Sequence, residues 1–224
     1  MRRKACALAA VISAAVLLLT GCGRGFDAAG YVQAVLDERL QGEFTEAARI
    51  MDTSEYELKQ DYEASVDQFI YDYLTSDYEE VSDYTLYEYE TLVKEIFSVM
   101  KYDVKKAEKT GKKKYEVSVE IQPVDLFVNY VAALQEASDK IEESARNGGY
   151  EGTEEEIREM MEYDYLFQAY GLLEEAYLNM QYQEPETVLV EVSAEKGSTY
   201  SISGEEYDAL LERFFCMDEI AGKR

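Results

Sequence analysis

The 224-residue chain contains no histidine and no tryptophan. Without imidazole there can be no Ser–His–Asp triad, no Cys–His dyad and no histidine zinc site, which removes much of hydrolase chemistry. Proline occurs twice, at Pro123 and Pro185, each isolated, so neither marks a linker. Basic residues are few, 22 against 47 acidic, for a formal charge of −25. That excess repels nucleic acid, whose binding rests on lysine and arginine neutralising phosphate. No stretch matches a phosphate-cradling P-loop, a dinucleotide glycine fingerprint or a calcium loop. The chemistry therefore implies no cofactor and no metal motif. Long apolar runs are also missing, except for one at the N-terminus.

That run is informative. Met1-Arg2-Arg3-Lys4 is followed by apolar Ala5 to Leu19 and then Thr20-Gly21-Cys22. A basic head, a short apolar core and small residues describe a secretory leader. Leu19-Thr20-Gly21-Cys22 resembles the bacterial lipobox, in which the cysteine thiol receives a diacylglyceryl group and a peptidase cuts before it. The run falls short of the roughly 20 residues a spanning helix needs. Residues 1–21 are thus expected to be a lipoprotein signal peptide and 22–27 a tether lipidated on Cys22. The expected address is the extracytoplasmic face of the cell membrane. Removing the leader takes three basic residues and no acidic one, moving the formal charge from −25 to −28. So acidic a chain repels an anionic leaflet, and the lipid is expected to anchor it alone. Of the three cysteines, Cys6 leaves and Cys22 is acylated. Cys216 then has no disulfide partner and reads as a buried structural thiol.

Hydrophobic periodicity organises the rest. Tyr31, Val32, Val35, Leu36 and Leu40 fall at helical spacing. Ser54-Glu55-Tyr56-Glu57 is a capping box ahead of Leu58, Tyr62, Val66, Phe69, Ile70 and Tyr73, and Thr85-Leu86-Tyr87-Glu88 repeats the signal. Residues 28–100 therefore read as helical. The period then changes to two: Tyr115, Val117, Val119 and Ile121 alternate with Glu116, Ser118 and Glu120, a half-buried strand. With Tyr102 and Val104 upstream and Lys109-Thr110-Gly111-Lys112 as turn chemistry, residues 101–122 predict a hairpin. A helix over about 124–146 ends at Asn147-Gly148-Gly149, and another starts at Thr153-Glu154-Glu155-Glu156. Val188, Val190 and Val192 predict a third strand, Lys196-Gly197-Ser198 a turn, and Thr199 to Ile202 a short fourth. Ser203-Gly204-Glu205-Glu206 opens a last helix. This predicts one α+β domain over 28–224. It is an antiparallel sheet of about four strands in two hairpins, with helices on one face and a helical region before it.

Several segments carry a resemblance. Tyr31-Val32-Gln33-Ala34-Val35-Leu36-Asp37, Gln41-Gly42-Glu43-Phe44 and Thr53-Ser54-Glu55 precede a long acidic helix. They are joined by Lys101-Tyr102-Asp103-Val104, Tyr115 to Pro123, and Tyr182-Gln183-Glu184-Pro185-Glu186-Thr187-Val188. In this order they resemble a group of uncharacterised lipoproteins of Gram-positive, mainly clostridial, bacteria. The resemblance implies a cystatin-like or NTF2-like α+β fold at the cell surface and brings no catalytic residues. Tyr200-Ser201-Ile202 departs from it, since such proteins often place a tryptophan there.

Tyrosine is the compositional excess, with 20 residues. Tyr71, Tyr73, Tyr78, Tyr84, Tyr87 and Tyr89 lie close together and cannot all share one helical face. Tyrosine joins an apolar ring to a polar tip, which serves half-buried packing and also binding platforms for sugars, peptides or proteins. The 71–89 stretch is the candidate binding surface. The leading expectation is a non-enzymatic, lipid-anchored binding module whose partner is an envelope protein or glycan. A small-molecule carrier or sensor with a pocket between sheet and helices is the alternative. An enzyme working through carboxylates alone would need a buried acid pair with separated pKa values.

Overall fold

A computed structural model describes residues 26–76, 78, 81–194 and 199–217. The leader, Cys22 and the expected turn at 196–198 lie outside these residues. The chain runs α1 (Ala28–Leu36), a π-helical turn (Asp37–Gln41), α2 (Thr45–Met51), α3 (Glu55–Ile70), a second π turn (Tyr71–Thr75) and α4 (Asp83–Ser98). Then follow β1 (Lys101–Gly111), β2 (Lys114–Gln122), α5 (Leu126–Arg146), α6 (Glu154–Asn179), β3 (Glu186–Ser193) and α7 (Gly204–Phe214).

Local chemistry accounts for most of these boundaries. The hydroxyls of Ser54 and Thr153 accept from the backbone N–H groups of Glu57 and Glu156, whose carboxylates reach back, completing both capping boxes. The cap of α4 is Ser82, which accepts from the Thr85 N–H, so that helix begins earlier than the Thr85 signal implied. Ser203 caps α7, but Glu206 does not close a box there. Its carboxylate accepts the Glu191 N–H of β3, tying helix to strand.

The sheet is antiparallel in the order β1-β2-β3. Tyr102, Val104, Val117, Val119, Ile121, Val188, Val190 and Val192 share one face, paired as Tyr102↔Ile121, Val104↔Val119, Val119↔Val188 and Val117↔Val190. That face is covered by helices. The other carries Lys105 between Asp103 and Glu120, and Lys114 on Glu191. The α+β class with a sheet solvated on one side holds. The fourth strand does not: Ser193 and Ser201 exchange one pair of backbone hydrogen bonds, at 3.0 and 2.9 Å, and no ladder extends from it among the described residues. The backbone turns instead into α7.

The core is aromatic at its centre. Phe69 packs edge-on against Phe97 at 5.1 Å and Phe127 at 5.8 Å, and Phe215 meets Phe127 at 5.1 Å. Cys216 follows with a left-handed φ of 51°. Its thiol is half-buried rather than buried.

Candidate functional site

The six tyrosines of the 71–89 stretch go to different places. Tyr71 and Tyr73 stand on the second π turn, with Tyr73 against Phe69 and beside Asp208 and Glu212 of α7. Tyr84 and Tyr87 project from the outward face of α4. Tyr78 packs on Tyr165 of α6 at 6.1 Å. Tyr89 is fully buried, edge-on to Tyr170 at 5.4 Å. It belongs to the core, so the stretch forms no continuous platform.

These rings do share a neighbour, α6. Tyr78, Tyr89, Tyr130 and Tyr165 form a phenol-rich layer between α4, α5 and α6. Burial drives the hydroxyl pKa of Tyr89 and Tyr130 far above the tyrosine range, and neighbouring phenols reinforce it for Tyr130. The Tyr89 hydroxyl stands beside that of Tyr130, which partly offsets the rise, but no partner meets full hydrogen-bonding geometry.

The outer face of α6 was not read from the sequence. Turning 100° per residue, Met160, Tyr163, Phe167, Gly171 and Leu178 fall on the side opposite buried Ala169, Leu173 and Ala176. Tyr163, Phe167 and Leu178 are 70%, 73% and 74% exposed. A helix apolar on both sides is one whose second side is built for cover. Gly171 in mid-helix has nothing within 4 Å of where a Cβ would sit, so internal packing does not require it. On the flank towards α4, Glu88, Tyr84 and Glu95 stand close enough to Tyr170 to add to the burial that raises its pKa.

Two further features are chemically distinctive. An open groove of about 550 Å³ lies between α5 and α6, rather than between sheet and helices. Ala133, Ala137, Leu172 and Ala176 floor it, and Asn129 and Gln168 are among its polar rim. The other feature is Glu38, on the first π turn and only 2% exposed. Its Oε2 meets Arg39 Nε at 3.1 Å while Oε1 has no partner. Burial raises its pKa to about 7, with Arg39 opposing and Asp61 adding. Beside it, burial pushes Tyr31 up to about 12 and Tyr207 well above the tyrosine range. Asp37, one residue earlier, accepts from the Tyr102 hydroxyl at 2.6 Å and from Gln33 at 2.8 Å. Within this cluster Glu38 and Tyr31 are buried, while Gln33, Asp37, Arg39, Tyr102 and Tyr207 are half-buried.

Among the described residues no group of three or more acidic or cysteine side chains is placed to hold a metal ion. Nor, among them, is any helix long and apolar enough to cross a membrane.

No family model and no curated protein matches the chain. Among solved structures, the crystal structure of a protein described as a "putative lipoprotein (ycdA)" of Bacillus subtilis superposes with a TM-score of 0.50 at 21% identity. The match covers 84% of this chain and 56% of that one, so this chain spans little more than half its length. At that identity the likeness establishes a shared fold.

Proposed function

We propose that this protein is an extracytoplasmic lipoprotein, anchored through an acylated Cys22, that binds a partner protein at the cell envelope without catalysing a reaction. The anchoring part is supported by the leader ending in Leu19-Thr20-Gly21-Cys22 and by the fold shared with the protein described as a lipoprotein. The observation that carries the binding part is the outward face of α6. It presents Tyr163, Phe167 and Leu178 to solvent on a chain otherwise dense in carboxylates. Exposed apolar area of this kind marks interaction surfaces, and aromatic side chains dominate their energetics. The absence of histidine and the burial of the Glu38 carboxylate beside Arg39 support a non-catalytic role.

The test is photo-crosslinking in the native membrane. A benzophenone amino acid at position 167 should capture one specific envelope protein, and the same group at Tyr56, exposed elsewhere, should not. Equal capture at both positions, or none at either, would contradict the assignment.

The α5–α6 groove supports a second reading, a small-molecule site, because its volume and apolar floor match ligand clefts. A molecule that co-purifies with the unaltered protein and is lost from Ala137→Trp would favour it.

A further inference from the structure

Lysine is unevenly spread. Lys105, Lys106, Lys109, Lys112, Lys113 and Lys114 fall in ten residues interrupted by one carboxylate, Glu108, in a chain of formal charge −25. The stretch is the end of β1, the turn and the start of β2. Part of it is used internally: Lys105 pairs with Asp103 and Glu120, Lys106 with Glu108, and Lys114 with Glu191. Lysines along an edge strand also discourage pairing with other sheets. Neither role accounts for Lys109 or Lys112. Lys112 is exposed and makes no ion pair among the described residues, and exposed Lys109 holds its ammonium 5.8 Å from the centre of the Tyr115 ring. The two-residue turn joining Gly111 to Lys114 is made of Lys112 and Lys113, and its geometry has no need of lysine.

A second observation fixes where this turn lies relative to the anchor. The ring of Phe26 stacks on Tyr200 at 3.7 Å and 9°, and packs on Tyr115 at 5.5 Å and Tyr31 at 5.6 Å. Tyr115 directly follows Lys114, so the chain is pinned at Phe26 beside the lysine turn. Cys22 precedes Phe26 by four residues, a span of at most about 14 Å fully extended. An acyl group on Cys22 would therefore keep this end of the sheet within that reach of the membrane. There, fields from headgroup phosphates extend over a Debye length of about 8 Å in physiological salt.

We infer that the β1–β2 lysine turn is a membrane-contact site that binds the anionic phosphate headgroups of the leaflet carrying the Cys22 lipid. This rests on the lipoprotein reading and deepens it. The bulk of the protein is acidic and is repelled by such a surface, while the lysine turn is drawn to it. One acyl anchor with one basic patch thus fixes an orientation that the lipid alone would leave free. The net charge had argued against any such patch, because a sum over the chain hides where the cations stand.

The test uses the full lipidated protein with Cys216→Ser and a fluorophore on Thr110→Cys, reconstituted in vesicles of phosphatidylcholine with or without phosphatidylglycerol. Lipids spin-labelled on the headgroup act as quencher. Quenching at position 110 is expected to rise at least about twofold with phosphatidylglycerol and to fall back at high salt, since screening removes the attraction. The triple substitution Lys109→Gln, Lys112→Gln and Lys113→Gln should abolish the rise, and a label at Tyr163→Cys on α6 should show none. Quenching indifferent to phosphatidylglycerol and to salt in the otherwise unaltered protein overturns the inference. So does a lysine turn that binds soluble anionic wall polymer but stays unquenched at the vesicle. The mass of the N-terminal peptide separates the two claims. A missing acyl group on Cys22 sinks the lipoprotein reading, whereas an acylated Cys22 with an unquenched turn sinks only the contact.

Discussion

At the scale of single residues the interior polar groups set the chain's response to pH. Glu38 has a folded pKa near 7 against an ordinary 4.5. The native state therefore holds its proton more tightly than the unfolded chain. The associated stability is complete below pH 4.5 and is lost as pH rises through about 7. The difference corresponds to about 3 kcal/mol at most. Glu38→Gln should flatten that part of the profile in urea titrations at a series of pH values; an unchanged slope would refute the assignment. Two phenols, Tyr102 half-buried and Tyr89 buried, should behave in opposite ways. Tyr102→Phe removes a 2.6 Å hydrogen bond to Asp37 and should cost about 1.5–3 kcal/mol. Tyr89→Phe removes a buried hydroxyl that has no hydrogen-bond partner, and should be neutral or stabilising by up to about 1 kcal/mol. Urea midpoints of the two variants, moving in the same direction, would contradict this.

At the scale of elements the sequence was legible where local chemistry decides the outcome. Ser54 with Glu57 and Thr153 with Glu156 are short-range bonds, and alternation from Tyr115 to Ile121 needs only one buried face. It was illegible where a distant partner decides. The π turns at Asp37–Gln41 and Tyr71–Thr75 widen the last turns of α1 and α3, and no periodicity announces them. Glu206 looked like half of a capping box, yet a strand fifteen residues away claims its carboxylate. The fourth strand reduced to one bridge for a similar reason, since α7 takes over the chain at Gly204. The outer face of α6 was missed because an apolar residue on a helix reads as core, and α6 has apolar residues all round. Its exposure gives a paired prediction. Phe167→Ser and Leu178→Ser should leave stability within about 0.5 kcal/mol of the parent in thermal melts. Gly171→Ala should raise it by about 1 kcal/mol. A loss of several degrees in the first two would mean that the face is already covered in the free protein.

At the scale of the whole molecule, the proposed function rests on the domain having two ends. One end of β2 meets the lysine turn, Tyr115 and the pinned Phe26. The other end, about 27 Å away along nine residues, leads through Pro123 into α5 and the root of the α5–α6 hairpin. On the proposed reading, lipid and lysines at the first end leave the aromatic face of α6 free for a partner. The formal charge of −25 opposes contact between the rest of the domain and an anionic leaflet. All of this depends on Cys22, and the most direct test is the intact mass of the protein extracted from its native membrane. The account predicts a chain beginning at Cys22 and carrying a diacylglyceryl group. A chain that retains residues 1–21, or one with a free thiol at Cys22, would contradict it.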